Sequence, residues 1–124
     1  MGDDNDLTRR VIGCAIEVHR HLGPGLLESA YEDCLCHEMS LEDIAHERQI
    51  ALPVVYKGLS ISAGYRLDVL VESRLILEIK AVDRPAPVHE AQLLTYLRLS
   101  GLRIGLLLNF YHAVLRDGIK RLTA

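Results

Sequence analysis

The chain predicts a mixed α/β (α+β) domain, a β-sheet flanked by helices in the order α-α-β-β-β-α-β. Three observations carry this. Two N-terminal segments repeat apolar residues at helical spacing. Two central segments, 64–73 and 74–83, are runs of Val, Ile and Leu broken by single charges, as strands with one functional face would be. A third helical stretch, 88–100, leads into the apolar run 103–110.

Taken in order, residues 7–22 (LTRRVIGCAIEVHRHL) place Leu7, Val11, Ala15, Val18 and Leu22 on one helical stripe, and Gly23-Pro24-Gly25 ends that helix. Residues 26–40 form a second helix with Leu27, Ala30, Tyr31, Cys34, Leu35 and Met39 on its apolar face. Residues 46–56 read as extended, with Pro53 marking an edge strand or a bulge. Lys57-Gly58 is a turn, and strands follow over 59–71 and 75–82. Pro85 and Pro87 bound a loop before the helix at 88–100, which Gly101 closes. The run 103–110 (RIGLLLNF) has the uninterrupted apolar character of a buried central strand. Residues 112–123 form a short terminal segment. With no internal repeat, linker or low-complexity tract, residues 1–124 are expected to form a single domain, with 1–6 as a flexible N-terminal tail.

Composition narrows the function classes. At 49% apolar and 25% charged residues the chain is of ordinary soluble type. It has neither an 18-residue apolar span nor the apolar core of a signal peptide, so a cytoplasmic location and no membrane partner are expected. Cys14, Cys34 and Cys36 complete no zinc or iron–sulfur spacing and read as small buried hydrophobes. Residues 1–50 hold four Lys and Arg against 11 Asp and Glu, a net −7, whereas residues 51–124 hold 10 against six, a net +4. The basic part is compatible with phosphate binding. The overall charge of −3 is too low for a protein that holds long duplexes by electrostatics alone, so nucleic-acid binding would be weak or partner-dependent.

Asp68, Glu78 and Lys80 are the charges that interrupt the two central strands. A hairpin centred on Ser73 would set Leu70 opposite Ile76, Asp68 opposite Glu78 and Arg66 opposite Lys80 on one face, with Val69, Val71, Leu75, Leu77 and Ile79 on the other. Opposed residues have Cβ atoms about 5 Å apart, where like charges repel unless compensated. Mg2+, which is held by one or two carboxylates and several waters, would compensate them, with Lys80 close to a phosphate. A turn one residue shorter would put Asp68 opposite Leu77 and remove the pairing.

Asp-x9-Glu-x-Lys on adjacent strands, followed by a helix carrying Gln92 and Tyr96, resembles the PD-(D/E)xK nuclease superfamily. The segment GPGLLESAYE (23–32) adds Gly25, Glu28 and Tyr31, and is similar to the GxxExxY motif that names a bacterial and archaeal family of that superfamily. The resemblance runs over residues 9–122. It implies a restriction-endonuclease-like core and Mg2+- or Mn2+-dependent cleavage of phosphodiester bonds. By motif, Glu28 is the helix-borne acid and a candidate to complete the metal shell directly or through water, Asp68 and Glu78 are the metal ligands with the backbone carbonyl of Ile79, and Lys80 is the strand lysine. Gln92 and Tyr96 match a QxxxY helix. Leu67 stands where the superfamily name has proline. The substrate implied is nucleic acid: DNA ahead of RNA, and ends, junctions or single strands ahead of a specific duplex sequence, with a homodimer or a partner protein as the means of gaining surface. The alternative is a catalytically silent nuclease-fold module that acts through oligomerisation or a partner.

Plainer roles compete at each position. Asp68, Glu78 and Lys80 could form a structural ion cluster. Glu28, in a first helical turn, would favour the helix dipole whatever else it did. Tyr31 lies on an apolar face and reads as packing. Gln92 and Tyr96 are four apart on one helical face, with His89 a weaker third member. His19 and His21 suit a helix C-terminus, and His37, His46 and His112 read as surface or core residues. Thiol catalysis by Cys34 or Cys36 with His37 is disfavoured because neighbours on a helix do not face one another.

Overall fold

Asp3 accepts the Asp6 N–H at 2.8 Å and so caps α1 (Asp4–Leu22). The structure, a computed structural model describing residues 3–62 and 64–124, thus starts the first helix before its apolar stripe begins. Residues 4–6, expected in a tail, form its first turn, where Asp4 and Asp6 suit the positive helix end. Met1 and Gly2, the start of that expected tail, lie outside the described residues. The loop at Gly23 then leads to α2 (Glu28–Leu41).

Among the described residues seven strands follow where four were expected: β1 (His46–Ala51), β2 (Val54–Tyr56), β3 (Leu59–Ile61), β4 (Arg66–Val71), β5 (Leu75–Lys80), β6 (Ile104–Asn109) and β7 (Ile119–Thr123). Helix α3 (Pro87–Ser100) joins β5 to β6, and a single 3₁₀ turn (Leu115–Gly118) precedes β7. The extended segment 46–56 breaks at Leu52-Pro53, because proline cannot donate to a ladder. The strand expected over 59–71 divides into β3 and β4. Gly64, at φ +80°, lies in the gap, and Ala63 lies outside the described residues. The terminal segment becomes an edge strand. Only Ile119 and Leu122 of β7 pack against the cores, so it lacked the apolar signature of β6.

The main sheet runs β1-β4-β5-β6-β7, while β2 and β3 form a separate hairpin. β5 and β6 are parallel, with Leu75 opposite Ile104 through to Lys80 opposite Asn109, as a crossover through α3 requires. The other neighbours in the sheet pair antiparallel. One face packs on α1 and α2 through Val69, Val71, Leu75, Leu77 and Ile79. The other packs on α3 through Leu70, Ile76 and Leu107. The approach to α3 is close at Gly105, where an added Cβ would come 2.8 Å from a Leu93 methyl.

The β4–β5 hairpin has the register centred on Ser73: Val71 pairs Leu75, Leu70 pairs Ile76 and Val69 pairs Leu77. Its turn closes with an Arg74 N–H donating to the Val71 carbonyl at 2.9 Å. Glu72 and Ser73 both hold positive φ, 49° and 55°. Two left-handed residues match the twist of a hairpin, yet neither is glycine, so each bears the Cβ–carbonyl strain of that region. Ser73→Gly is therefore expected to stabilise the fold by about 1 kcal/mol, read as a higher urea midpoint with an unchanged m-value.

Candidate active site

The β4–β5 ladder stops at Val69–Leu77, short of the Asp68–Glu78 and Arg66–Lys80 rungs that its register would continue into. Arg66 turns away and donates to the Gln49 carbonyl at 3.1 Å. Asp68 fills the opening: its carboxylate accepts the Ile79 N–H at 2.8 Å, taking the place of a ladder partner. The N–H and C=O of one strand residue point to the same edge. The Ile79 carbonyl therefore faces the gap that Asp68 occupies, while the Lys80 carbonyl accepts Phe110 N–H on the other side at 2.8 Å.

Glu78 lies beside Asp68 and is only 6% exposed. Burial, then hydrogen bonding to Asp68 and its negative charge, pushes the Glu78 carboxyl up to about 9, against a smaller opposing pull from Lys80. Without a cation, Glu78 therefore holds a proton at neutral pH. The Tyr96 hydroxyl, 6% exposed as a residue, is also raised, by burial first and then by the charges of Glu78 and Asp68; a hydrogen bond with Gln92 opposes this. Tyr96 and Gln92 thus stand over the carboxylate pair from α3, as their four-residue spacing allows. His89 instead belongs to the helix start, where its Nδ1 accepts the Ala86 N–H at 3.2 Å.

Glu28 reaches the same end of β5 by a different route. Its carboxylate accepts the Ala81 N–H at 3.3 Å, one residue past Lys80. It does not close a three-acid shell with Asp68 and Glu78: among the described residues, no three His, Cys, Asp or Glu side chains gather where they could hold a metal ion. The donor set at the hairpin end is a carboxylate pair with the Ile79 carbonyl. All are hard oxygen donors, and the pair cannot hold both charges unaided. A divalent cation that keeps several waters suits such a set. Mg2+ or Mn2+ bound there would replace the Glu78 proton.

Two supports for this end were not legible from the sequence. Asn109 is fully buried, and its side chain accepts the Val82 N–H at 3.0 Å and donates to the Val82 carbonyl at 2.9 Å. It clamps the chain leaving β5 to β6, and so fixes the direction in which Lys80 and Ala81 depart. A lone amide closing the apolar run RIGLLLNF was the available signal. Tyr31, read as packing, does pack, stacking on Phe110 with centroids 4.4 Å apart. Its hydroxyl also donates to the Gly23 carbonyl at 2.6 Å and accepts the Leu26 N–H at 3.1 Å, tying down the loop that delivers Glu28.

The remaining candidates are structural. His19 is buried and donates from Nε2 to the His112 carbonyl at 2.8 Å. His21 pairs with Glu17 at 2.9 Å. Burial pushes the Cys14 and Cys36 thiols up to about 11, which leaves little thiolate for nucleophilic chemistry. Among the described residues, no helix is long and apolar enough to cross a membrane.

Comparison with known proteins agrees with this architecture. A family model, the PD-(D/E)XK nuclease superfamily, matches residues 5–122. Three helices around a mixed five-stranded sheet are consistent with the restriction-endonuclease-like fold. No curated protein and no solved structure gives a match.

The carboxylate pair has a measurable thermodynamic consequence. Glu78 binds its proton more tightly folded than unfolded, so between its ordinary value of 4.5 and about 9 the native state holds the extra proton. Raising the pH through that window therefore lowers stability, by at most about 1.4 kcal/mol per pH unit. Denaturant titrations at pH 5, 7 and 9 are expected to show this fall in the wild type and a shallower one in Glu78→Gln. Mg2+ is expected to raise the wild-type midpoint more at pH 8 than at pH 5, because at low pH it must displace the proton.

Proposed function

The chain belongs to the PD-(D/E)XK nuclease superfamily, and on that premise we propose that it is a Mg2+- or Mn2+-dependent nuclease acting on DNA at ends, junctions or single strands. The observation that carries this reading is the half-buried Asp68 locked to the Ile79 N–H beside a buried Glu78, with Lys80 two residues on. Within the superfamily we assign the chain to the GxxExxY branch through Gly25, Glu28 and Tyr31.

In this reading Asp68, Glu78 and the Ile79 carbonyl hold the cation. When bound, it supplies a Lewis acid that acidifies water and offsets charge on the phosphate. Lys80 would place a positive charge where the oxygens of the pentacoordinate phosphorus gain negative charge, and such preorganised charge in a partly dry site outweighs the same charge in water. Tyr96 and Gln92 hold each other by hydrogen bond and offer, from α3, donors toward a phosphate oxygen or acceptor oxygens toward Lys80. Glu28 secures the backbone at Ala81 and sits within one residue of the lysine. Asn109 keeps that backbone in place, so that the lysine does not swing when charge develops. The small single domain and the cytoplasmic setting expected from the sequence belong to this reading too.

A second reading has its own support. The β2–β3 hairpin stands outside the main sheet and exposes Val55, Tyr56, Leu59 and Ile61. Such a cluster suits a protein contact, and the domain would then be a catalytically silent interaction module, a homodimer or one half of a complex.

Two experiments separate these readings. Cleavage of DNA in Mg2+ or Mn2+ is expected to fall at least a hundredfold in Asp68→Asn and in Lys80→Ala, and equal rates in wild type and both variants would remove the assigned site. Calorimetric titration of Mg2+ is expected to give heat with wild type and none with Glu78→Gln. Equal heats in the two would favour the silent module.

A further inference from the structure

A groove of about 460 Å³ opens between α3 on one side and Val54 of β2 with Tyr65 on the other. Its walls are mainly apolar: Val54 from β2, Tyr65 from the approach to β4, and Thr95, Leu99, Gln92 and Tyr96 from α3. That volume is within the roughly 300–1,000 Å³ of sites that take small organic ligands. Tyr96 lines the groove, and its hydroxyl feels the charges of Glu78 and Asp68, which puts the groove next to the carboxylate pair.

Tyr65 sets what the groove can hold. It is 45% exposed although it leans edge-on against the buried Tyr96, with centroids 6.4 Å apart and planes at 60°. That contact fixes the Tyr65 ring while leaving area for a flat partner. A purine or pyrimidine stacks on an aromatic face whatever its identity. The amide of Gln92, the hydroxyl of Thr95 and the phenols can meet its polar edges. At the rim, the Arg98 guanidinium donates to Thr95 Oγ1 at 3.2 Å, which brings a cation to where a flanking phosphate would lie. The cavity between α1 and α2, by contrast, has Glu17, Glu38 and Glu42 against the single cation Arg10 on its walls, a net negative lining that repels a phosphate chain.

We propose that this groove takes one unpaired base of the substrate strand, stacked on Tyr65, next to the phosphate that a cation at Asp68 and Glu78 would bind. The proposal rests on the nuclease reading for the position of the phosphate and adds a substrate class: single strands and frayed ends. A base lying in the groove has left its complement, so an intact duplex must first unpair.

The test uses the full chain with Ca2+ replacing Mg2+, to keep the strand intact, and a single-stranded oligonucleotide carrying 2-aminopurine. The chain has no tryptophan, so the base reports free of indole emission. Wild type is expected to quench the base and to bind the strand about tenfold or more tightly than the same sequence as a blunt duplex. Tyr65→Ala is expected to lose about tenfold in strand affinity, and Tyr65→Phe to retain it. Leu99→Glu, at a groove residue that is 42% exposed and outside both core clusters, is expected to weaken binding as Tyr65→Ala does.

Equal strand affinity in wild type, Tyr65→Ala and Leu99→Glu would overturn the proposal, as would no binding at all. Cleavage in Mg2+ keeps the two readings apart. Asp68-dependent cleavage that is indifferent to Tyr65→Ala would leave the hydrolysis standing and remove the groove. Tyr65-dependent strand binding without cleavage in Mg2+ or Mn2+ would remove the hydrolysis and leave the groove as a binding site.

Discussion

Two carboxyl groups meet at the open end of one β-hairpin, and the space allows only one of them to keep its charge there unaided. Asp68 is held through one carboxylate oxygen by the Ile79 N–H at 2.8 Å, which keeps the group at the hairpin's end. Glu78 is buried next to it and answers by keeping a proton to about pH 9. A core position that costs this much could have been an apolar residue, as Ile76 two positions before it is. The arrangement makes physical sense when a hard cation is the intended third member.

Much of the surrounding structure serves to hold that meeting point still. The ladder between β4 and β5 ends just before it, which frees the Asp68 side chain and the Ile79 backbone to face the same gap. β6 runs parallel to β5 and grips the departing chain through Asn109. From one side α2 brings Glu28 to the Ala81 N–H, on a loop tied by the Tyr31 hydroxyl. From the other, α3 lays Tyr96 and Gln92 over the pair. This end of the sheet is thus the place where a parallel pair, an antiparallel pair, the start of α2 and the middle of α3 converge, and rigidity there comes from hydrogen bonds to backbone rather than from ion pairs.

The parts that were legible from the sequence depend on short-range periodicity. The hairpin register followed from apolar runs placed symmetrically about Ser73, and the face alternation then put Asp68, Glu78 and Lys80 together. Helix α3 and its stop at Gly101, where φ is +76°, followed from spacing and from the one residue that takes that turn freely. The illegible parts depend on partners far along the chain. Asn109 reaches Val82, 27 residues away, and Glu28 reaches Ala81, 53 residues away. Their side chains could be named as polar but not connected. The β2–β3 hairpin escaped notice because its apolar residues face outward, so composition alone made it look like part of the sheet. β7 escaped for the opposite reason: as an edge strand it carries Lys120 and Arg121, which hide its alternation.

In the metal-free protein Glu78 holds a proton where a cation would sit. A carboxyl-carbon NMR titration of Glu78, assigned by comparison with Glu78→Gln, reads this proton itself. The midpoint is expected near 9 in metal-free buffer, moving down on addition of Mg2+ and unmoved by sodium chloride of equal ionic strength. A midpoint close to the ordinary 4.5, with no response to Mg2+, would show that Glu78 is ionised without a cation.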